Sequence, residues 1–387
     1  MKKALVVSAA MILALTITVC AADKPSFNFD LSGYFKLDGS YDQNVTSHGN
    51  FSLWTKPAGE QNKDQFNMTA NHSRFIMNAN GEGYVDANVT GHLEFDFYGG
   101  VSGATVPENK PMLLLRQAFF TVQKGGLQLK AGQAWDMVSP LNTPMLNYGY
   151  LLASGNIGYR RPQVTLTYTG QTGQNTNITF GGGIARPMSD DLALSLTLAN
   201  DGVDDGTDAG IPSFQGILEV NHKPQSGAKV RAGVSGLWGH LKAEAADQSE
   251  YETYNSWAVV GHFQVDFTSR FGVLGEAYTG SNLHTYFGGV ANLNTIEGTD
   301  TQGGWLSVWG KPHSKVKLIA GGGLDQADDQ LLADGSRTNN QTFYGTVEYQ
   351  LVPQVTLGLE LSHNETEYKN TSSSDNFRVQ SAFMLNF

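Results

Sequence analysis

The chain has 387 residues, 45 of them glycine, and a formal net charge of −11. This acidic balance, with no basic aromatic-rich patch, argues against a nucleic-acid partner. A single cysteine, Cys20, excludes an internal disulfide, and no apolar run beyond the N-terminus approaches the ~20 residues of a helical membrane span.

Taken in order, the chain begins with Lys2 and Lys3, an apolar run from Ala4 to about Val19, and Cys20-Ala21-Ala22. That pattern predicts a secretory signal peptide over 1–22, cleaved after Ala22, and a mature domain over 23–387. Val19 is too large for Cys20 to read as a lipoprotein cysteine. From Ser26 to Tyr41 the residues alternate: Phe27, Phe29, Leu31, Phe35 and Leu37 fall on one side, Asn28, Asp30, Lys36 and Asp38 on the other. Successive strand side chains point to opposite faces, so this is a ribbon with one oily and one wet face. Residues 42–70 are polar and suit a long loop. His72–Asn80 is the next ribbon, with Arg74 on its wet side. Val85–Phe97 is the cleanest: Val89, Leu93, Phe95 and Phe97 alternate with Asp86, His92, Glu94 and Asp96.

The rhythm continues through Leu113–Val122, Leu127–Trp135, Gln163–Tyr168, Ile178–Ile184, Leu192–Leu198, Phe214–Val220, Ala228–Trp238, Trp257–Phe267 and Phe271–Tyr278. It ends with Trp305–Trp309, Val316–Leu324, Phe343–Leu351, Val355–Leu361 and Phe377–Phe387. Short turns alternate with long connections near 99–111, 136–158, 199–212, 240–253, 280–302, 325–341 and 363–376. The fold class is therefore all-β: a closed antiparallel transmembrane barrel, oily face to lipid and charged face to water. These segments number 17, which an even barrel forbids. Merging Ile178–Ile184 with Leu192–Leu198, or discarding one, gives 16 strands; one undetected strand gives 18. Trp238, Trp257, Trp305, Trp309 and Tyr349 at strand ends read as aromatic girdles. The terminal Phe387, after Phe383 and Leu385, resembles the assembly signal of bacterial outer-membrane barrels.

No HExxH, P-loop or GxSxG pattern is present, so no enzymatic activity and no cofactor are expected. The acidic runs Asp201–Asp208, Glu244–Glu252 and Asp325–Asp334 lack EF-hand spacing and read as solvated loop surface, bridged to lipopolysaccharide phosphates by divalent cations, with calcium binding as the alternative. Gly181–Gly183 and Gly321–Gly323 lie inside strands, where glycine lets the wall bend or a loop pack against it.

A barrel of about 16 strands is too wide for its own side chains to fill and leaves an aqueous channel. Lys36, Arg74, Arg116, Lys130 and Arg161 point inward from the first six strands, with Arg160 at a strand entry beside them. Either they draw anions into the lumen or they pair with nearby acids and brace the wall. Residues 136–158 carry one charge, Asp136, among many Leu, Met and Tyr side chains, which predicts a loop folded inward as the constriction. The alternative is a subunit-contact loop.

Leu114-Leu115-Arg116-Gln117-Ala118, Leu129-Lys130-Ala131-Gly132-Gln133-Ala134-Trp135 and Arg160-Arg161-Pro162-Gln163-Val164, with Gly33-Tyr34-Phe35-Lys36-Leu37-Asp38 before them, resemble trimeric outer-membrane porins of the DcaP type. The resemblance is specific over roughly residues 30–170 and architectural beyond. It implies 16 strands, a homotrimer, passage of small anions with dicarboxylic acids favoured, and pore-lining roles for Arg116, Arg160 and Arg161. The expected protein is thus a porin of the bacterial outer membrane, in contact with its lipid and lipopolysaccharide, that passes small hydrophilic solutes. A substrate-specific monomeric channel and a structural, adhesin or receptor barrel are the alternatives.

Overall fold

The structure, a computed structural model, describes residues 26–57, 59, 63–82, 87–99, 111–194 and 199–387. The leader over 1–22 and Asp86 lie outside the described residues. The alternating segments form β1 (Ser26–Asp42), β2 (Gln65–Thr69), β3 (Arg74–Glu82), β4 (Asn88–Asp96), β5 (Leu114–Lys124), β6 (Leu127–Trp135), β7 (Arg160–Gly173), β8 (Thr176–Ala185) and β9 (Ser213–His222). They continue as β10 (Lys229–Glu244), β11 (Tyr251–Thr268), β12 (Phe271–Ser281), β13 (Asp300–His313), β14 (Val316–Ala327), β15 (Arg337–Val352), β16 (Val355–Tyr368) and β17 (Thr371–Asn386).

Neighbouring strands pair antiparallel from β3 to β17, and the sheet closes where Tyr34 of β1 lies opposite Asn386 and Asp42 opposite Arg378 of β17. The other edge of β1 takes β3 along its first half and β2 along its second, with Tyr34 opposite Arg74 and Asp38 opposite Thr69. β2 and β3 are thus two halves of one stave, broken at Ala70–Ser73, and the 17 segments make 16 staves. Closure pairs the sheet around its circumference.

The uneven segment count resolves by discarding Leu192–Leu198. Ile178–Ile184 is the core of β8, whereas Leu192 and Leu194 lie in a connecting loop and pack against Leu241, Ala243 and Tyr254; residues 195–198 lie outside the described residues. A loop laid over a protruding hairpin alternates apolar and polar side chains without entering the wall. Several strands also outrun the ribbons read from the sequence. β16 and β17 turn at Lys369-Asn370 rather than through a loop over 363–376, and β10 runs on to Glu244. Above the lipid both faces of a hairpin meet water, so the pairing persists after the oily periodicity has stopped.

The faces are as the alternation requires. Phe29, Leu31, Leu359 and Phe383 stand exposed on the outer surface, while Asp38, Asp96, Arg116 and Glu360 are buried inside. Trp238 and Trp257 are exposed on the outer side, but Trp305 is buried on the inner face and Trp309 packs beside it against Leu141, Met145 and Leu151. These two are floor for an inward loop, not girdle, and the reason is their register on β13.

Among the described residues of the connection over 186–212 is a short helix, α1 (Asp205–Asp208), with Asp204 as its N-cap. Asp205 is fully buried and accepts hydrogen bonds from the Tyr254 hydroxyl and from Leu192 N–H at 3.3 Å. Burial pushes its pKa up to about 7; the two hydrogen bonds work against the shift and the nearby Asp191 and Asp208 add to it. A carboxyl whose folded pKa lies above its unfolded value stabilises the fold in acid and loses that contribution as pH rises between the two values. Hydrogen exchange of residues 186–212 should therefore accelerate from about pH 4 to pH 7 beyond its intrinsic pH dependence, and Asp205→Asn should remove that excess.

Candidate functional site

Four of the expected lumen cations are neutralised by acids of the same wall. Lys36 Nζ lies 3.1 Å from Asp38. Arg74 reaches Glu94 at 3.2 Å and Asp96 at 3.6 Å, and Arg116 bridges the same two carboxylates, 2.7 Å from Asp96. Arg161 Nε lies 3.0 Å from Asp136. Of the two arrangements open from the sequence, bracing therefore holds for these four. Taking a charge out of water is costly unless a partner and further hydrogen bonds satisfy it. Lys36, Arg116 and Arg161 have both, though Arg161 Nη1 finds no hydrogen-bond partner; Arg74 has its carboxylates while its Nε and Nη2 find no hydrogen-bond partner.

Lys130 and Arg160 differ. Among the described residues neither has a carboxylate within ion-pair distance. Lys130 sits 5.1 Å from the Phe119 ring centroid. Arg160 is 6% exposed, lies 4.5 Å from the Tyr159 ring and 4.9 Å from Trp135, and its Nη1 has no hydrogen-bond partner. A positive charge over aromatic faces is stabilised without being cancelled. It remains available to an anion.

Residues 136–158 cross the interior and are fixed to the far wall. Glu276 of β12 accepts from the Ser139 hydroxyl and from Leu141 N–H at 2.9 Å. Glu360 of β16 accepts from Leu146 N–H at 2.6 Å and Asn147 N–H at 3.1 Å. Leu146 O accepts from Lys36 Nζ of β1 at 2.9 Å, close to Glu360 because only β17 separates β1 from β16. Tyr150, Leu151 and Ala153 hold left-handed φ angles of 49°, 59° and 59°, a strained coil that persists because its surroundings over-determine it. His72, buried at the break between β2 and β3, accepts from Lys36 Nζ at 2.8 Å and bonds the Tyr150 hydroxyl at 2.8 Å.

The glycine run of β14 makes room for this loop. A Cβ on Gly323 would stand 2.0 Å from Ser154 O, and one on Gly155 would stand 2.1 Å from Gly304 O. Gly323→Val should therefore push the 150–157 coil off the wall, at a cost of roughly 1–3 kcal/mol. Unfolding in detergent together with limited proteolysis of the loop would register both effects.

A second inward segment was not legible in the sequence. Within 43–57, Phe51 and Leu53 are buried, Thr55 N–H donates to Thr366 Oγ1 at 3.0 Å, and Asn50 O accepts from Arg378 at 3.1 Å. The signal that could have found it is the cluster Phe51, Leu53 and Trp54 inside an otherwise polar stretch. Together with 136–158 this segment lines a slot of about 180 Å³ that carries Arg116 and Arg160 among Phe51, Tyr98, Trp135 and Tyr148. The slot shares His48, Leu53, Tyr159 and Phe287 with a wider outer vestibule of about 910 Å³. In a separate cavity of about 540 Å³, Glu219 pairs with Arg231 at 2.7 Å beside Lys229 and Asp266.

Among the described residues, Asp201, Asp208 and Glu244 come close enough to share an ion, and Lys242 pairs with Glu244 there.

No protein-family model matches the chain, and no curated protein matches it in sequence. Solved structures do match in fold. The outer membrane channel DcaP of Acinetobacter baumannii superposes with a TM-score of 0.72 at 17% identity, covering 94% of this chain and 98% of that one. An anion-selective porin from Comamonas acidovorans gives 0.57 at 10% identity, covering 94% and 100%. OprB of Pseudomonas putida gives 0.54 at 12% identity, covering 93% and 94%. Over nearly its whole length, the chain has the closed antiparallel barrel fold of outer-membrane channels and porins.

Proposed function

We propose that the protein is an outer-membrane porin, a water-filled channel through which small hydrophilic solutes diffuse down their gradients, with small anions favoured. The observation that carries this reading is Arg160: a buried guanidinium with no carboxylate partner among the described residues, set over two rings in a slot between two inward loops. A wall built for bracing alone would have paired it, as it pairs Arg161. Lys130 is the second uncancelled charge, and the 136–158 loop is the element that narrows the lumen. The reading gives the protein no chemical step and no cofactor. It takes residues 1–22 as a leader removed on export, the lipid-facing belt and its lipopolysaccharide as the surroundings, and a homotrimer as the assembled form; one solved relative in fold, OmpT of Vibrio cholerae, is described in a trimer form.

Conductance in planar bilayers tests this directly. The expected result is stepwise closure in threes and a reversal potential in a KCl gradient displaced toward the anion. Silent bilayers with correctly folded protein would count for a structural, adhesin or receptor barrel instead. A second reading, a channel selective for one solute class, is favoured by the aromatic content of the slot, where Tyr98, Tyr148, Tyr159 and Trp135 offer ring faces. Saturable block of the KCl current by one class of solute would distinguish it from a general pore.

A further inference from the structure

We propose that the outer vestibule is a capture site for organic anions that carry an apolar body, with Arg337 as its charged contact. This rests on reading the barrel as a channel that admits anions.

The vestibule wall is unusually apolar for a water-filled mouth. Leu293 is 63% exposed and Leu331 44% exposed, and both line the cavity with Trp54 and Phe287. Exposed leucines grouped in a concave surface mark a place where something apolar is covered. His284 lies 3.4 Å from Asp190, while the solvent-exposed Asp334, bonded to the neutral amide of Asn370 at 2.7 Å, keeps its charge. Arg337 keeps its charge as well, and is less exposed to water. Its Nε donates to Val290 O at 2.8 Å and its Nη2 to Ala291 O at 2.7 Å, and its guanidinium lies 4.0 Å from the Trp54 ring centroid. Among the described residues no carboxylate comes within ion-pair distance of it. Neutral carbonyls and a ring hold the guanidinium in place and leave its charge intact, which is preorganisation for an incoming carboxylate.

Arg160 repeats the arrangement in the adjoining slot, on Tyr159 and Trp135, and Tyr159 and Phe287 belong to both cavities. Two aromatic-backed guanidiniums without counter-ions thus stand in adjoining chambers. A small wholly polar anion would satisfy the charge and leave Leu293 and Leu331 wet. A carboxylate with a hydrocarbon body satisfies both.

The probes are hexanoate and acetate, equal in charge and different in body, added to full-length protein at constant ionic strength. Binding is read as change in tryptophan fluorescence and as block of the KCl current. Hexanoate should bind about tenfold more tightly than acetate, since four further methylenes are partly buried. Arg337→Gln should weaken hexanoate about fivefold. Leu293→Ser should weaken hexanoate and leave acetate as it was, and Trp54→Phe should remove the fluorescence response. Equal binding of the two anions by the unmodified protein, or hexanoate binding indifferent to Arg337→Gln, would overturn the proposal. Protein that conducts no KCl yet binds hexanoate through Arg337 would keep the capture site and remove the channel reading.

Discussion

Arg161→Ala is expected to destabilise the barrel by roughly 3–5 kcal/mol, whereas Arg160→Gln, one residue away, should leave assembly intact and lower the anion-to-cation permeability ratio. The two side chains differ in what they leave behind. Arg161 is fully buried against Asp136, which among the described residues otherwise accepts from Tyr159 N–H at 3.0 Å and Gln215 at 2.7 Å. Removing the guanidinium strands a carboxylate at the root of the 136–158 loop. Removing the Arg160 charge strands nothing, because no acid is paired to it. Arg116 should fall between them: its loss leaves Asp96 with Arg74 at 3.6 Å as a remaining cation. The resemblance read from the sequence gives Arg116, Arg160 and Arg161 a common pore-lining role. The ion pairs reverse that expectation for Arg161 and move the selectivity effect to Arg160. Urea unfolding in detergent and reversal potentials, measured on the same three single variants, separate the two quantities. A stable Arg161→Ala barrel with reduced anion preference would contradict the assignment of Arg161 to bracing.

The division between what could and could not be read from the chain follows from the physics of a barrel wall. Lipid on one side and water on the other impose a period of two on every stave, so Phe29, Val89, Asp96 and Glu360 declare their faces individually. Charge pairing is not periodic. Arg116 meets Glu94 and Asp96 across a strand boundary some 20 residues away, and nothing in the local pattern separates it from Arg160, which meets no acid. Trp305 looked like girdle because it is a tryptophan near a strand end; its parity on β13, set by register with Gly323 opposite, turns it inward. The 136–158 loop declared its inward course through composition. The 43–57 segment did not, because Val45, Phe51, Leu53 and Trp54 among polar residues do not outweigh the rest.

Glu276→Ala combined with Glu360→Ala should loosen the middle of the 136–158 loop and give larger, noisier single-channel currents. Each carboxylate is buried in the inner wall and holds the loop by accepting from it: Ser139, which also reaches Asn156 at 3.3 Å, and Leu141 for one, Leu146 and Asn147 for the other. Leaving a buried donor unpaired costs about 1–3 kcal/mol, so a double variant that keeps the loop in place must absorb several such penalties at once. Water entering from the lumen satisfies those donors if the loop lifts away, and the left-handed coil at Tyr150, Leu151 and Ala153 then loses the packing that maintains it. The two ends resist. Asp136 remains tied to Arg161, and Ala153 O still accepts from Asn340 at 2.6 Å, so the displacement should centre on residues 139–147. Protease should cut there in the double variant and spare the parent. Glu360→Gln, which keeps one acceptor oxygen for Leu146 and Thr346 but turns an amide NH2 toward Asn147 N–H, should fall between the parent and the double variant. If the double variant folds, resists protease and conducts like the parent, the constriction lies elsewhere, and the 43–57 segment is then the element left to narrow the lumen.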